Sequence, residues 1–176
     1  MKSTSDRVLT AIFCDDIRNE VGNKMSFMGC YQGELFVPSA PIALAKLCVY
    51  VTLMTPIARP VRSLVFKVLQ DDDKELARIE IPDEALQNGK LVAEGSATRA
   101  GLNAAMVFSP FLIEKSSILR VLAVTEEGEV VGPRLLVKIQ PQMESASLSA
   151  VEVKPAKPAA KKAAAKKSVV RKPAKK

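Results

Sequence analysis

Neither histidine nor tryptophan occurs among the 176 residues of the chain. Without an imidazole there is no Ser-His-Asp or Cys-His nucleophile, no histidine-dependent metal site, and no general base whose ordinary pKa lies near neutrality. Carboxylate, lysine and tyrosine chemistry stay open, so enzymes are disfavoured as a class and not excluded. Cysteine is scarce and odd in number. Cys14, Cys30 and Cys48 each sit in an apolar stretch and no two have CxxC spacing, so three reduced core thiols in a cytosolic protein are expected. Long apolar runs are missing too. The run that starts at Val8 meets Asp15 and Asp16 after seven residues, too short for a signal peptide, and nothing approaches the ~18 residues of a membrane span. The expectation is a soluble, cytoplasmic protein with no membrane contact and no cofactor.

The last 23 residues lack acids altogether. Between Lys154 and Lys176 there are ten Lys or Arg and no Asp or Glu. Removing those ten from the chain's 26 basic residues leaves 16 against 19 acidic ones, so the body is about −3 although the whole chain is +7. Basicity is therefore a property of one appendage. A body of about 150 residues is one domain's worth, able to bury roughly two-thirds of the surface its unfolded chain exposes.

Within the body, apolar runs of four to ten residues alternate with turn clusters, and a single short stretch reads as helix. Val8 to Cys14 is the first run. Gly22-Asn23 supplies a turn before the run from Met25 to Tyr31, and Leu35-Phe36-Val37 is closed by Pro38. From Lys46 to Met54 the pattern alternates, with Leu47, Val49, Val51 and Leu53 on one face, which is the clearest half-buried strand in the chain. A hairpin follows, with Leu64, Phe66 and Val68 on one arm, Asp71-Asp72-Asp73-Lys74 at the tip, and Ala77, Ile79 and Ile81 on the return. Pro82, then Asp83-Glu84, then Asn88-Gly89 are in the order that a helix of one or two turns prefers. Irregular chain through Gly95 and Gly101 leads to a strand over Ala104 to Phe108 and Phe111 to Ile113, broken at Ser109-Pro110. A last hairpin pairs Ile118 to Val124 with Arg134 to Ile139.

Eight or nine sequential strands with turn signals about every ten residues predict an all-β fold. An antiparallel β-sandwich is the natural form, because a sheet must bury its apolar face and only a second sheet is available to cover it. A closed barrel is the alternative, and the lack of long helices excludes a parallel doubly wound sheet. The predicted organisation is a β-sandwich over residues 6–140, a linker over 141–153, and a disordered basic tail over 154–176.

In the tail, the pairs Lys161-Lys162, Lys166-Lys167, Arg171-Lys172 and Lys175-Lys176 are spaced by five, five and four positions. A five-residue step turns a helix by about 140°, so the pairs would spiral and form no stripe, and no apolar face exists to lie on a membrane. An extended chain carrying Lys154, Lys157, Lys161, Lys162, Lys166, Lys167, Arg171, Lys172, Lys175 and Lys176 could instead run along the phosphates of DNA or RNA. With no aromatics to stack and no scaffold to read base edges, such binding would be independent of sequence. A solubilising or unspecific appendage is the plainer reading of the same composition, and a handle for an acidic protein or a membrane surface is a third.

Two acidic groups are the other candidates. Asp15, Asp16 and Glu20 could hold a hard cation such as Mg²⁺ for a metal-dependent hydrolase. The plainer reading is a turn, in which Asp and Asn side chains bond their own backbone and Arg18 pairs with an acid. Asp71-Asp72-Asp73 could bind calcium, but acids at a hairpin tip are ordinarily a solvated turn. Gly29 to Glu34 is no phosphate loop, since it lacks the GK[ST] ending and a following helix.

The segment Phe13-Cys14-Asp15-Asp16-Ile17-Arg18-Asn19-Glu20, the stretch from Lys24 to Tyr31 and that from Pro41 to Cys48 together resemble an uncharacterised family of small bacterial and phage proteins. That resemblance covers the first third of the chain and implies a compact β-sandwich with no established activity and no catalytic residues. The tail resembles the Lys-Ala-Pro tails of linker histones and bacterial histone-like proteins, and it is a departure from the family pattern. Three functions are thus in play: a non-enzymatic binding module tethered to nucleic acid, a structural or assembly protein of the kind a phage could encode, and the hydrolase. Either of the first two leaves room for a protein partner or self-association through the β domain.

Overall fold

Alternation of apolar and polar residues puts one face of each strand inside, and two sheets close over the result. The computed structural model describes residues 6–88 and 97–140. Twelve strands and one short helix occur in them: β1 (Val8–Cys14), β2 (Asp16–Glu20), β3 (Lys24–Met28), β4 (Glu34–Val37), β5 (Ile42–Leu44), β6 (Leu47–Pro56), β7 (Leu64–Gln70), β8 (Lys74–Glu80), α1 (Asp83–Asn88), β9 (Arg99–Phe108), β10 (Phe111–Ile113), β11 (Ser117–Thr125) and β12 (Gly128–Ile139). The fold is an all-β sandwich. A three-stranded sheet, β1-β6-β9, and a five-stranded sheet, β4-β12-β11-β7-β8, form its layers, and β2-β3 and β5-β10 are two-stranded additions. All pairings are antiparallel except β4 with β12, which run parallel.

The core lies between the layers. Leu9, Phe13, Val49, Val51 and Leu53 from one sheet meet Phe66, Val68, Leu119, Val121, Leu135 and Val137 from the other, all buried. Leu47, Val49, Val51 and Leu53 are fully enclosed, as the alternation in β6 requires. Each such side chain removes apolar surface from water at about 25 cal/mol per Å², which is the main force holding the sheets together.

Several elements are longer or more numerous than the sequence pattern suggests. The polar stretch Asp16–Glu20 is a strand, because its register with Lys24–Met28 is set by the Gly22-Asn23 turn, where φ is 83° and 57°. β9 starts at Arg99 instead of near Ala104 and pairs with β6 over ten positions without interruption. β12 runs through Pro133, which falls at a bulge: Arg120 pairs with Arg134 while Leu122 pairs with Val131. A residue without an N–H is accommodated where the ladder is already irregular.

At one margin of the sandwich β1 packs beside β12. A side chain at Gly132 would place its Cβ 2.8 Å from Leu9 Cδ2 and 3.1 Å from the Val121 carbonyl oxygen, so only glycine lets the layers approach there. A part-buried ion pair joins Arg7, just before β1, to the turn between β11 and β12. Arg7, whose side chain is 1% exposed, donates to Glu126 at 2.6 Å and lies 3.4 Å from Glu127. Glu126 also accepts from the Arg62 and Ser63 backbone N–H groups. Burial opposes the charge on Glu126, but the bonds from Arg7, Arg62 and Ser63 outweigh it and hold the carboxyl down at about 2.

Candidate functional site

The ten tail cations from Lys154 to Lys176 lie outside the described residues, as does the linker 141–153. The body's own candidate, the acidic group after β1, is fully described. Its residues are gathered at the base of the β2-β3 arm, which folds back over the outer face of the three-stranded sheet. Phe27 of the arm stacks on Tyr50 of β6 with ring centroids 5.1 Å apart. Backbone bonds fix the base, from Asp15 N–H to the Met28 carbonyl at 2.9 Å and from Tyr31 N–H to the Phe13 carbonyl at 2.8 Å.

Gly29 closes the arm with φ of 65°, a left-handed conformation that favours glycine. A Cβ there would fall 2.0 Å from Asp15 Oδ2, so the Asp15 carboxylate occupies the space a side chain would need. On its other oxygen Asp15 accepts a hydrogen bond from the Tyr31 hydroxyl. Burial first, and that bond and the Asp15 charge next, push the Tyr31 hydroxyl far above its ordinary pKa. Its proton stays on the phenol and is committed to Asp15.

Asp16 faces a different set of partners. It accepts from Lys46 Nζ at 2.8 Å and from Arg18 Nε at 3.1 Å. The Lys46 bond, followed by that of Arg18, lowers the Asp16 carboxyl to about 2, and the same contact raises Lys46. Arg18 thus pairs with an acid as expected, but within the strand β2 and not in a turn. Glu20, four residues further along an extended strand, is about 13 Å from Asp16 along the chain axis and is exposed opposite Lys24. Among the described residues, no group of three or more Asp, Glu or Cys is arranged to hold a metal ion.

Beneath the arm are two thiols. Cys14 and Cys48 are directly opposed in the β1-β6 register and both are fully buried. Cys14 Sγ donates to the Asp16 carbonyl at 3.4 Å and Cys48 Sγ to the Asp15 carbonyl at 3.7 Å. Burial, then the neighbouring Cys48, Cys30 and Asp15, push the Cys14 thiol up to about 11, and burial likewise raises Cys48. Neither is activated as a nucleophile at neutral pH. Cys30 departs from the expectation of three core thiols: it is exposed, because it follows Gly29 in the bend beyond β3 and belongs to no strand.

Sequence reasoning found Asp15, Asp16 and Arg18 but missed Tyr31, Lys46 and Gly29 as their partners. Lys46 lies thirty positions away from Asp16, and no local pattern announces that contact. The Asp71-Asp72-Asp73 tip is likewise a turn with assigned partners: Asp71 and Asp72 have φ of 53° and 72°, Asp71 accepts from Ile118 N–H at 3.0 Å, and Asp72 pairs with Arg120 at 3.0 Å. Among the described residues, no helix is long and apolar enough to cross a membrane.

Compared with known proteins, the chain matches no family model and no curated protein. The arm's base is, on its geometry, a clasp: Tyr31 closes on Asp15, Arg18 on Asp16, and Lys46, the residue before β6, ties Asp16 to the sheet.

Proposed function

We propose that the chain is a non-enzymatic, cytoplasmic binding module that residues 154–176 tether to DNA or RNA without regard to sequence. The observation that carries this reading is the segregation of charge, with ten basic and no acidic residues in the tail of a chain whose remainder is about −3. Pairing within the body supports it. Asp16, Glu34, Glu75, Asp72 and Glu126 have Lys46, Lys138, Lys67, Arg120 and Arg7 as ion-pair partners. These five acids of the body are engaged by the body's own cations. The tether's role would be to raise the local concentration of the β domain near nucleic acid.

Fluorescence anisotropy with duplex DNA and single-stranded RNA of mixed sequence tests the proposal, using the whole chain and a variant ending at Val153. Five phosphate contacts on duplex DNA would weaken binding about 500-fold between 50 and 200 mM salt. The whole chain should bind both polymers with a steep salt slope, and the shortened chain should bind neither. Equal affinity of the two proteins would refute the tether.

A further inference from the structure

Four strands border the two layers of the sandwich, and three of them are defended against pairing with another chain. β8 carries Lys74, Glu75, Arg78 and Glu80 and has a register break where Val68 pairs with Ala77 but Leu69 with Glu75. Charges and bulges of this kind discourage a further strand. β4 has only four residues. β1 is packed beside β12, with Leu9 against Gly132.

Among the described residues β9 has none of these defences, although Leu86 of α1 lines a cavity with Ala100 and Leu102 on its inward face. It is ten residues long, its register with β6 is unbroken, and its one charge is Arg99 at the first position. It contains no proline, and among the described residues no strand pairs with its other side. Along that side alternate backbone N–H and C=O groups point outward as a template for a partner strand. The face beside the edge is also unusual. Across β1, β6 and β9 the outward positions include Val8, Thr10, Tyr50, Thr52, Asn103 and Ala105, and no charged residue interrupts them between Val8 and Cys14, Leu47 and Met54, or Ala100 and Phe108.

We infer that β9 is a homotypic interface, pairing antiparallel with β9 of a second copy about a two-fold axis at Asn103. An antiparallel edge is complementary to itself under such an axis, and the sequence of this strand fits that register. On the inward face Leu102 meets the partner's Ala104 and Ala100 meets the partner's Met106, so large side chains oppose small ones. On the outward face Gly101 meets the partner's Ala105, Asn103 meets its own copy, and Arg99 meets the partner's Val107. No like charges are opposed. Centring the axis on Ala104 instead would set Leu102 against Met106 and leave Ala104 against itself. The product is a continuous six-stranded sheet in which Arg99 is the one charge that β1, β6 and β9 of each copy contribute, and the copies are related as an isologous dimer.

The inference rests on the edge strand and is independent of the tail, and its test is arranged accordingly. The whole chain is treated with nuclease and kept at high salt, so that nucleic acid cannot bridge two tails. Light scattering through a dilution series should then give twice the 19.0 kDa chain mass. Asn103→Lys, which sets two cations face to face at the axis, should raise the dimer dissociation constant at least tenfold with an unchanged β-sheet circular dichroism spectrum. In a Cys30→Ser background, Asn103→Cys should cross-link into a covalent dimer under mild oxidation, because directly opposed strand residues lie within disulfide reach. Glu80→Cys on β8 should not. A wild-type chain that is monomeric at every concentration overturns the proposal, whether its own residues or a foreign strand cover β9. So does a dimer that survives Asn103→Lys unweakened and yields no cross-link through Asn103→Cys.

Discussion

Gly29 shows how much one position decides in this protein. Its φ of 65° and the 2.0 Å that a Cβ would leave to Asp15 Oδ2 are separate demands on the same residue. Gly29→Ala should therefore cost about 2 to 3 kcal/mol, combining left-handed strain with the loss of the Tyr31 to Asp15 hydrogen bond. Urea unfolding of Gly29→Ala, Tyr31→Phe and the double variant checks the mechanism. If displacement of Asp15 is the common cause, the double variant is destabilised by less than the sum of the two. Glu126 makes a second test at this scale. Its carboxyl is held at about 2 in the folded protein against 4.5 ordinarily, so its ionised form stabilises the fold above pH 4.5 and that stabilisation disappears as pH falls toward 2. Allowing for its side chain being 26% exposed, the contribution at neutral pH is about 2 kcal/mol. Glu126→Gln should lose it at pH 7 and show a flatter decline between pH 5 and pH 3 than the wild type, as read by urea midpoints.

Elements reveal which parts of the fold were legible in the sequence. β6 announces itself because alternate residues are apolar over its whole length, and β7 and β11 do so for the same reason. β2 is hidden, since Asp16-Ile17-Arg18-Asn19-Glu20 has the composition of a turn and is made a strand by its partner and by the Gly22-Asn23 bend. The first half of β9 is hidden too: Ala100, Gly101 and Asn103 have poor strand propensity, and pairing with β6 overrides it. In the candidate site, Asp15, Asp16 and Arg18 were legible as a cluster, whereas Lys46 and Tyr31 join it only because β6 and the arm's base are brought beside β1. The close approach of β1 to β12 belongs to this scale as well. Gly132→Ala puts a methyl group 2.8 Å from Leu9 and 3.1 Å from a backbone oxygen, and should cost about 1 to 3 kcal/mol by overpacking. Shortening the facing side chain with Leu9→Val should recover part of that loss, so thermal melts of the two single variants and the pair should be non-additive.

On the scale of the whole molecule, the described core and the excess of positive charge lie in different parts of the sequence. All of the buried hydrophobic residues and ion pairs described above lie between Asp6 and Gln140, while ten of the 26 cations lie between Lys154 and Lys176. Ending the chain at Val153 should consequently change what the protein adheres to without changing how firmly it is folded. Its net charge reverses from +7 to about −3, so at pH 7 and low salt it should move from a cation exchanger to an anion exchanger. Its folding stability should stay within the roughly 0.5 kcal/mol typical of changes remote from buried features, with a correspondingly unchanged thermal midpoint. Calorimetry and ion-exchange retention of the two proteins at matched salt separate these effects. A shortened chain that keeps its retention but unfolds at a clearly lower temperature would place the lysines among the interactions that hold the sandwich, leaving no division of labour between body and tail.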